Sequence, residues 1–109
     1  MLVHWLSAFL VTQVVEVPIY ARSLRHRAHR WQWAFGASVV THPTVFFIFP
    51  RLGIGDYWET VLYAEAFAVG IEAAYLSRLG VSYSVLWAIG ANALSVAIGL
   101  GLRSLIGWP

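Results

Sequence analysis

An apolar stretch that contains two glutamates constrains this chain more than any other feature. Residues 58–79 form a run long enough to cross a bilayer as one helix, since about 20 residues span ~30 Å of hydrocarbon. Glu65 and Glu72 lie inside it, seven residues apart, so two helical turns bring their side chains to the same face. A carboxylate in hydrocarbon is costly unless it is protonated, paired or facing water. We therefore expect both glutamates to face inward, toward other helices.

The composition of the whole chain is also typical of a polytopic membrane protein. Of its 109 residues, 60% are hydrophobic and 11% are charged, whereas soluble domains carry about 25% charged residues. The absence of cysteine excludes disulfides, thiolate metal sites and thiol catalysis. Neither a glycine-rich phosphate loop nor a serine nucleophile elbow is present, so the sequence favours a protein that is not an enzyme.

Three further apolar runs bring the number of predicted helices to four. Each is about 20 residues long, and the connections are short enough to make neighbouring helices antiparallel. No basic segment precedes the first run and no cleavage site follows it, so we interpret it as a spanning helix that Pro18 bends or ends. The predicted fold is an all-α integral membrane protein with one domain, residues 1–109, and helices at about 2–20, 33–49, 58–78 and 85–106.

Arginine supplies all seven basic residues, and its distribution predicts the orientation. Five of the seven fall in the loops after the first and third helices, whereas Arg51 and Arg103 lie on the opposite side. Because basic loops stay in the cytoplasm, both termini are expected on the extracytoplasmic side of a bacterial inner membrane. The arginines of the first loop are expected to contact anionic lipid headgroups, or alternatively a partner protein, but no nucleic acid; they are Arg22, Arg25, Arg27 and Arg30.

A short internal repeat relates the two halves of the chain. Residues 33–38 read WAFGAS and residues 87–92 read WAIGAN, 54 positions later, and a hydroxyl residue follows each copy at the same offset. In the preceding helices, Glu16 and Glu72 each lie six positions before an arginine, so a two-residue gap in one loop reconciles the halves. We interpret the pattern as a duplicated two-helix hairpin. An even number of helices keeps both copies in one orientation, which predicts parallel repeats about a pseudo-twofold axis along the membrane normal.

The repeat also predicts that polar residues gather at one depth. Arg22 and Arg78 mark the cytoplasmic interface, so Glu16 and Glu72 lie about 9 Å inside it at ~1.5 Å per residue. The paired polar residues of the returning helices, counted from their tryptophans, lie at about the same level. The predicted layer comprises Glu16, Glu72, Ser38 and Asn92, with Thr41, Ser95 and His42 about one turn deeper and Glu65 about two turns above Glu72.

These residue types favour transport or conduction of protons or a small cation. Carboxyl groups held in a dry bundle are able to take up and release protons near neutral pH, and histidine titrates in the same range. We expect Glu16, Glu72 and His42 to be the working groups. Glu65 has no polar counterpart in the first half, where Phe9 stands, so it would give a pathway its direction.

Two other interpretations remain open. Glu16, Glu72 and His42 could hold a divalent metal, the one cofactor that the sequence suggests, although no Glu-x-x-His pair typical of a di-metal bundle is present. Alternatively, protonated glutamates bonded to hydroxyl and amide groups could simply join the helices, as in a structural or assembly subunit of a larger membrane complex. Because four helices make a thin pathway, a transporting form is expected to be a homo-oligomer.

Pro43 is expected to kink the second helix near its middle. It has no N–H to donate to the carbonyl of Val39. The kink would either aim His42 into the polar layer or leave His42 bonded to a carbonyl that the kink frees.

Overall fold

The computed structural model describes residues 2–53 and 55–107. Over these residues the chain forms four α-helices and no β-strand, so the all-helical class is confirmed. Short loops, residues 24–29 and 79–83, join the helices of each hairpin. The helices are α1 (Leu2–Ser23), α2 (Arg30–Val39), α3 (Tyr57–Arg78) and α4 (Ser84–Ile106).

α1 continues beyond Pro18 to Ser23, so of the two outcomes predicted for this proline, an end to the helix is wrong. Pro18 lies on the exposed side of α1 and costs it one backbone bond, to the carbonyl of Val14. The residues after it remain helical because they are packed: Tyr20 is 0% exposed and Ala21 is 1% exposed. Packing therefore outweighs the loss of a single hydrogen bond.

α2 differs from the predicted helix 33–49, because it begins at Arg30 and ends at Val39. Pro43 accounts for the early end, since it cannot donate to the Val39 carbonyl. The chain then continues as a π-helical segment, Thr44–Ile48, and one 3₁₀ turn, Phe49–Arg51. The break falls where the kink is predicted, and it changes the type of helix as well as interrupting it.

The second helix of each hairpin begins in the same unusual way. His29 precedes α2 with φ 57° and ψ 36°, and Tyr83 precedes α4 with φ 56° and ψ 38°. Left-handed backbone is uncommon outside glycine, and in the described part of the chain these are the two non-glycine residues that adopt it. They stand 54 positions apart, which is the offset of the sequence repeat.

The two loops 24–29 and 79–83 contain or adjoin five arginines, and we call them the arginine loops. Apolar side chains close the end of the bundle nearest these loops. α1 packs against α2 and α4, and α3 packs against α4. Small residues at corresponding positions of α2 and α4 allow this approach, since Ala34 and Ala88 are both 0% exposed. The buried cluster at this end, which we call the apolar layer, consists of Tyr20, Ala21, Leu24, Ala34, Ala37, Leu76, Val81 and Ala91.

In the rest of the molecule, polar side chains are buried and many apolar side chains are exposed, the reverse of the arrangement in a soluble protein. Glutamate, glutamine, asparagine and hydroxyl side chains are buried, whereas Val14 is 75% exposed, Leu62 is 67% exposed and Leu105 is 84% exposed. Exposed apolar surface on this scale marks a contact with a membrane or another protein. Among the described residues, α4 is the one helix long and apolar enough to cross a membrane, judged by length and composition alone.

Candidate functional site

Glu16 lies at the centre of the bundle and is 2% exposed. Its Oε1 accepts a hydrogen bond from the hydroxyl of Ser38 at 2.8 Å, and its Oε2 accepts one from the hydroxyl of Ser95 at 2.6 Å. Three helices, α1, α2 and α4, therefore meet at a single carboxyl group. The contact with Ser38 joins two residues that the repeat places at one depth.

Glu72, on α3, is 1% exposed and accepts hydrogen bonds from three donors. Its Oε1 accepts from the hydroxyl of Tyr20 and from Nδ2 of Asn92, the latter at 2.9 Å. Its Oε2 accepts from the hydroxyl of Thr41 at 2.5 Å. Nδ2 of Asn92 also donates a hydrogen bond to the carbonyl oxygen of Ala88 at 2.8 Å. Glu72 is thus bonded to α1, to α4 and to the break that follows α2.

The two halves of the chain exchange donors. Apart from the bond that Tyr20 donates to Glu72, each glutamate takes one donor from the second helix of its own hairpin and one from the opposite half. The donor from the same hairpin stands at the last position of the repeated hexapeptide, WAFGAS or WAIGAN. The donor from the opposite half stands three residues after the end of the other copy. The second donors are predicted one turn deeper, yet the carboxyl groups reach them. The sets are Glu16 with Ser38 and Ser95, and Glu72 with Asn92 and Thr41.

Tyr20 belongs to this site, although it is not among the residues predicted for it. Its ring is 0% exposed, and its hydroxyl donates to Glu72 and accepts from Asn92 Nδ2 at 3.2 Å. A signal is present in the sequence, because Tyr20 lies four residues after Glu16 and so on the same face of α1. Leu76 takes the corresponding place after Glu72, which leaves the two carboxyl groups with unequal numbers of donors.

A cavity of about 120 Å³ adjoins both carboxyl groups. Its volume is sufficient for several water molecules, and its walls carry enough polar groups to hold them. All eight residues predicted for the polar site line this one cavity; they are Glu16, Glu72, His42, Glu65, Asn92, Ser38, Thr41 and Ser95.

His42 and Glu65 lie on the side of the cavity away from the arginine loops. The ring of His42 packs edge-on against Phe9, with centroids 5.2 Å apart and an interplanar angle of 74°. Oε2 of Glu65 is buried and has no hydrogen-bond partner within the described chain. Phe9 occupies the place in the first half that corresponds to Glu65 in the second. At this position the first half therefore has an aromatic ring in contact with His42, and the second half has a buried carboxyl group.

Gln13 is a second buried polar residue outside the predicted set. It is 8% exposed, and neither its Nε2 nor its Oε1 has a hydrogen-bond partner among the residues that the structure describes. It precedes Glu16 by three residues and therefore lies about one turn away on a neighbouring face of α1. No repeat partner marks it, because Val69 stands at the corresponding place in α3.

The cavity lies to one side of the apolar layer. Tyr20, Leu24 and Leu76 follow the glutamates along α1 and α3, and each is 0% exposed. They separate the carboxyl groups from the arginine loops. The remaining wall points toward the other end of the bundle, because its residues precede the glutamates or follow the hydroxyl donors; they include Thr12, Ala68, Val45 and Val96.

The geometry gives the metal hypothesis no support. Within residues 2–53 and 55–107, no three His, Cys, Asp or Glu side chains are placed to hold a metal ion together. Both oxygens of Glu16 and of Glu72 accept hydrogen bonds from hydroxyl or amide groups, and His42 packs on an aromatic ring. A metal at Glu16, Glu72 and His42 stays a prediction.

The first arginine loop is tied to the second hairpin. Nη1 of Arg27 donates to the carbonyl oxygen of Leu79 at 3.3 Å, and Nε2 of His26 lies 3.1 Å from the same oxygen. The guanidinium of Arg27 also lies 5.6 Å from the ring centroid of Trp33. Arg27 is therefore engaged with the protein, which separates it from the other three arginines expected at the lipid surface.

No protein-family model matches the chain, and no match was found among curated proteins or among solved structures.

Proposed function

We propose that this protein spans a membrane and carries protons through the polar site at its centre. The observation that carries the proposal is that one cavity touches three glutamates and a histidine inside a bundle whose outer surface is apolar. Ionisable side chains in such an interior mark ion and proton pathways in membrane proteins.

The membrane location rests on the inverted distribution of polarity. α4 meets the length and composition criterion for a span, and α1 and α3 each have 22 residues. The longest dimension of the protein is 39 Å, sufficient for ~30 Å of hydrocarbon. The arginine loops would then lie in the cytoplasm and both termini outside, in a bacterial inner membrane.

In this proposal the molecule consists of two parallel hairpin repeats, α1 with α2 and α3 with α4. Three independent features support the repeat: the left-handed residues before α2 and α4, the matched burial of alanines, and the exchange of donors. A pseudo-twofold axis along the membrane normal would pass between Glu16 and Glu72.

Protons would move by hydrogen-bond exchange along the cavity. A proton that arrives from the side of the termini would reach Glu65 first and then pass through water to Glu16 and Glu72 in turn. The hydroxyl partners suit both protonation states, because a hydroxyl donates as well as accepts. Oγ of Ser95 lies 3.1 Å from the carbonyl of Asn92, so its hydrogen has an alternative acceptor when Glu16 is protonated and itself donates to Ser95.

A proton suits these donors better than a metal cation does. A cation needs lone pairs directed toward it, whereas Tyr20, Thr41 and Asn92 direct hydrogen atoms toward Glu72. A small cation would have to displace them. Complete passage also needs a second state in which the apolar layer opens toward the arginine loops.

Reconstitution tests the proposal. We expect purified protein in liposomes that contain a pH-sensitive dye to dissipate an imposed proton gradient. Glu72→Gln should lose nearly all of this flux, because an amide cannot carry the proton. Glu59→Gln is the matched control, since Glu59 is exposed at the start of α3 and should leave the flux unchanged. Wild-type flux through a folded Glu72→Gln protein would refute proton transport by this site.

One observation favours a structural subunit of a larger complex as the second candidate. Both oxygens of each central carboxyl group are already hydrogen-bonded within the bundle, as in a network that only holds helices together. In that case the wild-type protein would show no flux, and Glu72→Gln would lower only the free energy of unfolding.

A further inference from the structure

A second cavity, of about 560 Å³, lies at the surface where α1 passes into the first loop. One part of its wall is basic and the other is apolar. The arginines are exposed, so their charged ends are accessible to a ligand. The wall consists of Arg22, Arg25, Arg30, Pro18, Ala21 and Trp31.

The acidic residues of the chain all lie away from this cavity. Glu16, Glu65 and Glu72 line the central cavity, and Asp56 and Glu59 stand at the start of α3, the end of that helix far from the arginine loops. These are all five acidic residues in the sequence. The three arginines therefore present a concentrated positive charge that calls for an anionic ligand from outside the chain.

An apolar stripe leads from the cavity along α1. Leu10, Val14 and Pro18 are exposed and follow one another at intervals of four residues, and Arg22 is the next in the series. Residues four apart lie side by side on a helix, so the stripe winds slowly around α1 and ends at the arginines. A ligand that matches both parts has an anionic head and a long apolar chain.

We propose that this cavity binds the phosphate of an anionic phospholipid, with an acyl chain along the stripe of α1. Guanidinium groups bind phosphate oxygens through paired hydrogen bonds, and Trp31 has the amphipathic ring typical of the headgroup level. The site depends on the proposed membrane location but not on proton transport. Arg27 takes no part in it, because its guanidinium donates a hydrogen bond to the carbonyl oxygen of Leu79 and lies over the ring of Trp33.

Native mass spectrometry of the detergent-purified full chain tests the site. Dioleoylphosphatidylglycerol and dioleoylphosphatidylcholine are each titrated, and the one-lipid adduct is measured. Wild-type protein should prefer phosphatidylglycerol. The triple variant R22Q/R25Q/R30Q should lose roughly a hundredfold of that preference, since three arginines near the phosphate are removed. The control R51Q/R78Q/R103Q removes the same charge elsewhere and should keep the preference.

Three results would overturn the site. One is equal binding of the two lipids, another is an equal loss in the control triple variant, and the third is displacement of phosphatidylglycerol by inorganic phosphate, which would identify an ion site. Insertion into liposomes is scored separately by flotation. Failure to insert would refute the membrane location itself, whereas insertion without headgroup preference would refute only the lipid site.

Discussion

The hydroxyl of Tyr20, on α1, donates a hydrogen bond to the carboxyl group of Glu72, on α3. This bond joins the two hairpins across the bundle. It has no counterpart, because Leu76 stands at the corresponding place in the second half. Glu72 consequently has three donors and Glu16 has two, so a residue of the first hairpin makes the two central carboxyl groups different.

Tyr20→Phe is expected to lower the free energy of unfolding by about 1 kcal/mol, the typical net contribution of a buried hydrogen bond. The ring stays in the apolar layer, so the change isolates the hydroxyl. Denaturant titration in detergent micelles measures the effect. Tyr83→Phe is the control, because Tyr83 is 78% exposed and its hydroxyl is expected to contribute nothing. A Tyr20→Phe protein as stable as the wild type would show that the hydroxyl does not stabilise the site.

Ser38→Ala and Ser95→Ala are expected to be non-additive. Both remove a hydroxyl from the same carboxyl group, that of Glu16, and residues in one network show interaction energies of about 0.5–3 kcal/mol. A double-mutant cycle in unfolding free energy measures the coupling. The comparison cycle pairs Ser38→Ala with Thr60→Ala, whose hydroxyl bonds to the Asp56 carbonyl at the start of α3. That second pair should be additive, and equal coupling in both cycles would contradict the exchange of donors.

Cysteine labelling is expected to show that the cavity is reached from one side, and the chain suits this test because it has no cysteine. Val45→Cys and Val96→Cys, in the cavity wall, should react with a water-soluble thiol reagent supplied on the side of the termini. Ala37→Cys and Ala91→Cys, which are 0% exposed in the apolar layer, should react from neither side. Mass spectrometry gives the labelled fraction. Labelling of the layer from the side of the arginine loops would mean that water crosses it.

Reporter fusions are expected to place both termini outside the cytoplasm. Alkaline phosphatase, which is active only in an oxidising compartment, should be active after Ile106 and inactive within the loop 24–29. The reason is that basic loops are retained in the cytoplasm. A cytoplasmic fluorescent reporter at the same positions serves as the converse control. Phosphatase activity in the first loop would reverse the proposed orientation.

The helices and most of the polar site could be predicted because both depend on periodicity along the chain. Two residues at similar distances along the chain from a connecting loop lie at the same height in the two antiparallel helices that it joins. Glu16 and Ser38 meet for this reason. Tyr20 and Gln13 have no polar repeat partner, so the repeat does not predict them as part of the site. Pro43 predicts where α2 is interrupted. The π-helical continuation after it is a rare conformation for which the local sequence carries no signal.

The exchange of donors means that neither hairpin is complete alone. A fragment that ends near residue 54 contains Glu16 but lacks Ser95, and the remaining fragment contains Glu72 but lacks Thr41 and Tyr20. The two are complementary fragments, and we expect them to assemble when they are produced together. Each hairpin thus supplies hydrogen-bond donors that the other hairpin needs. Covalent linkage leaves each half free to hold a residue that the other lacks, Tyr20 in one and Glu65 in the other.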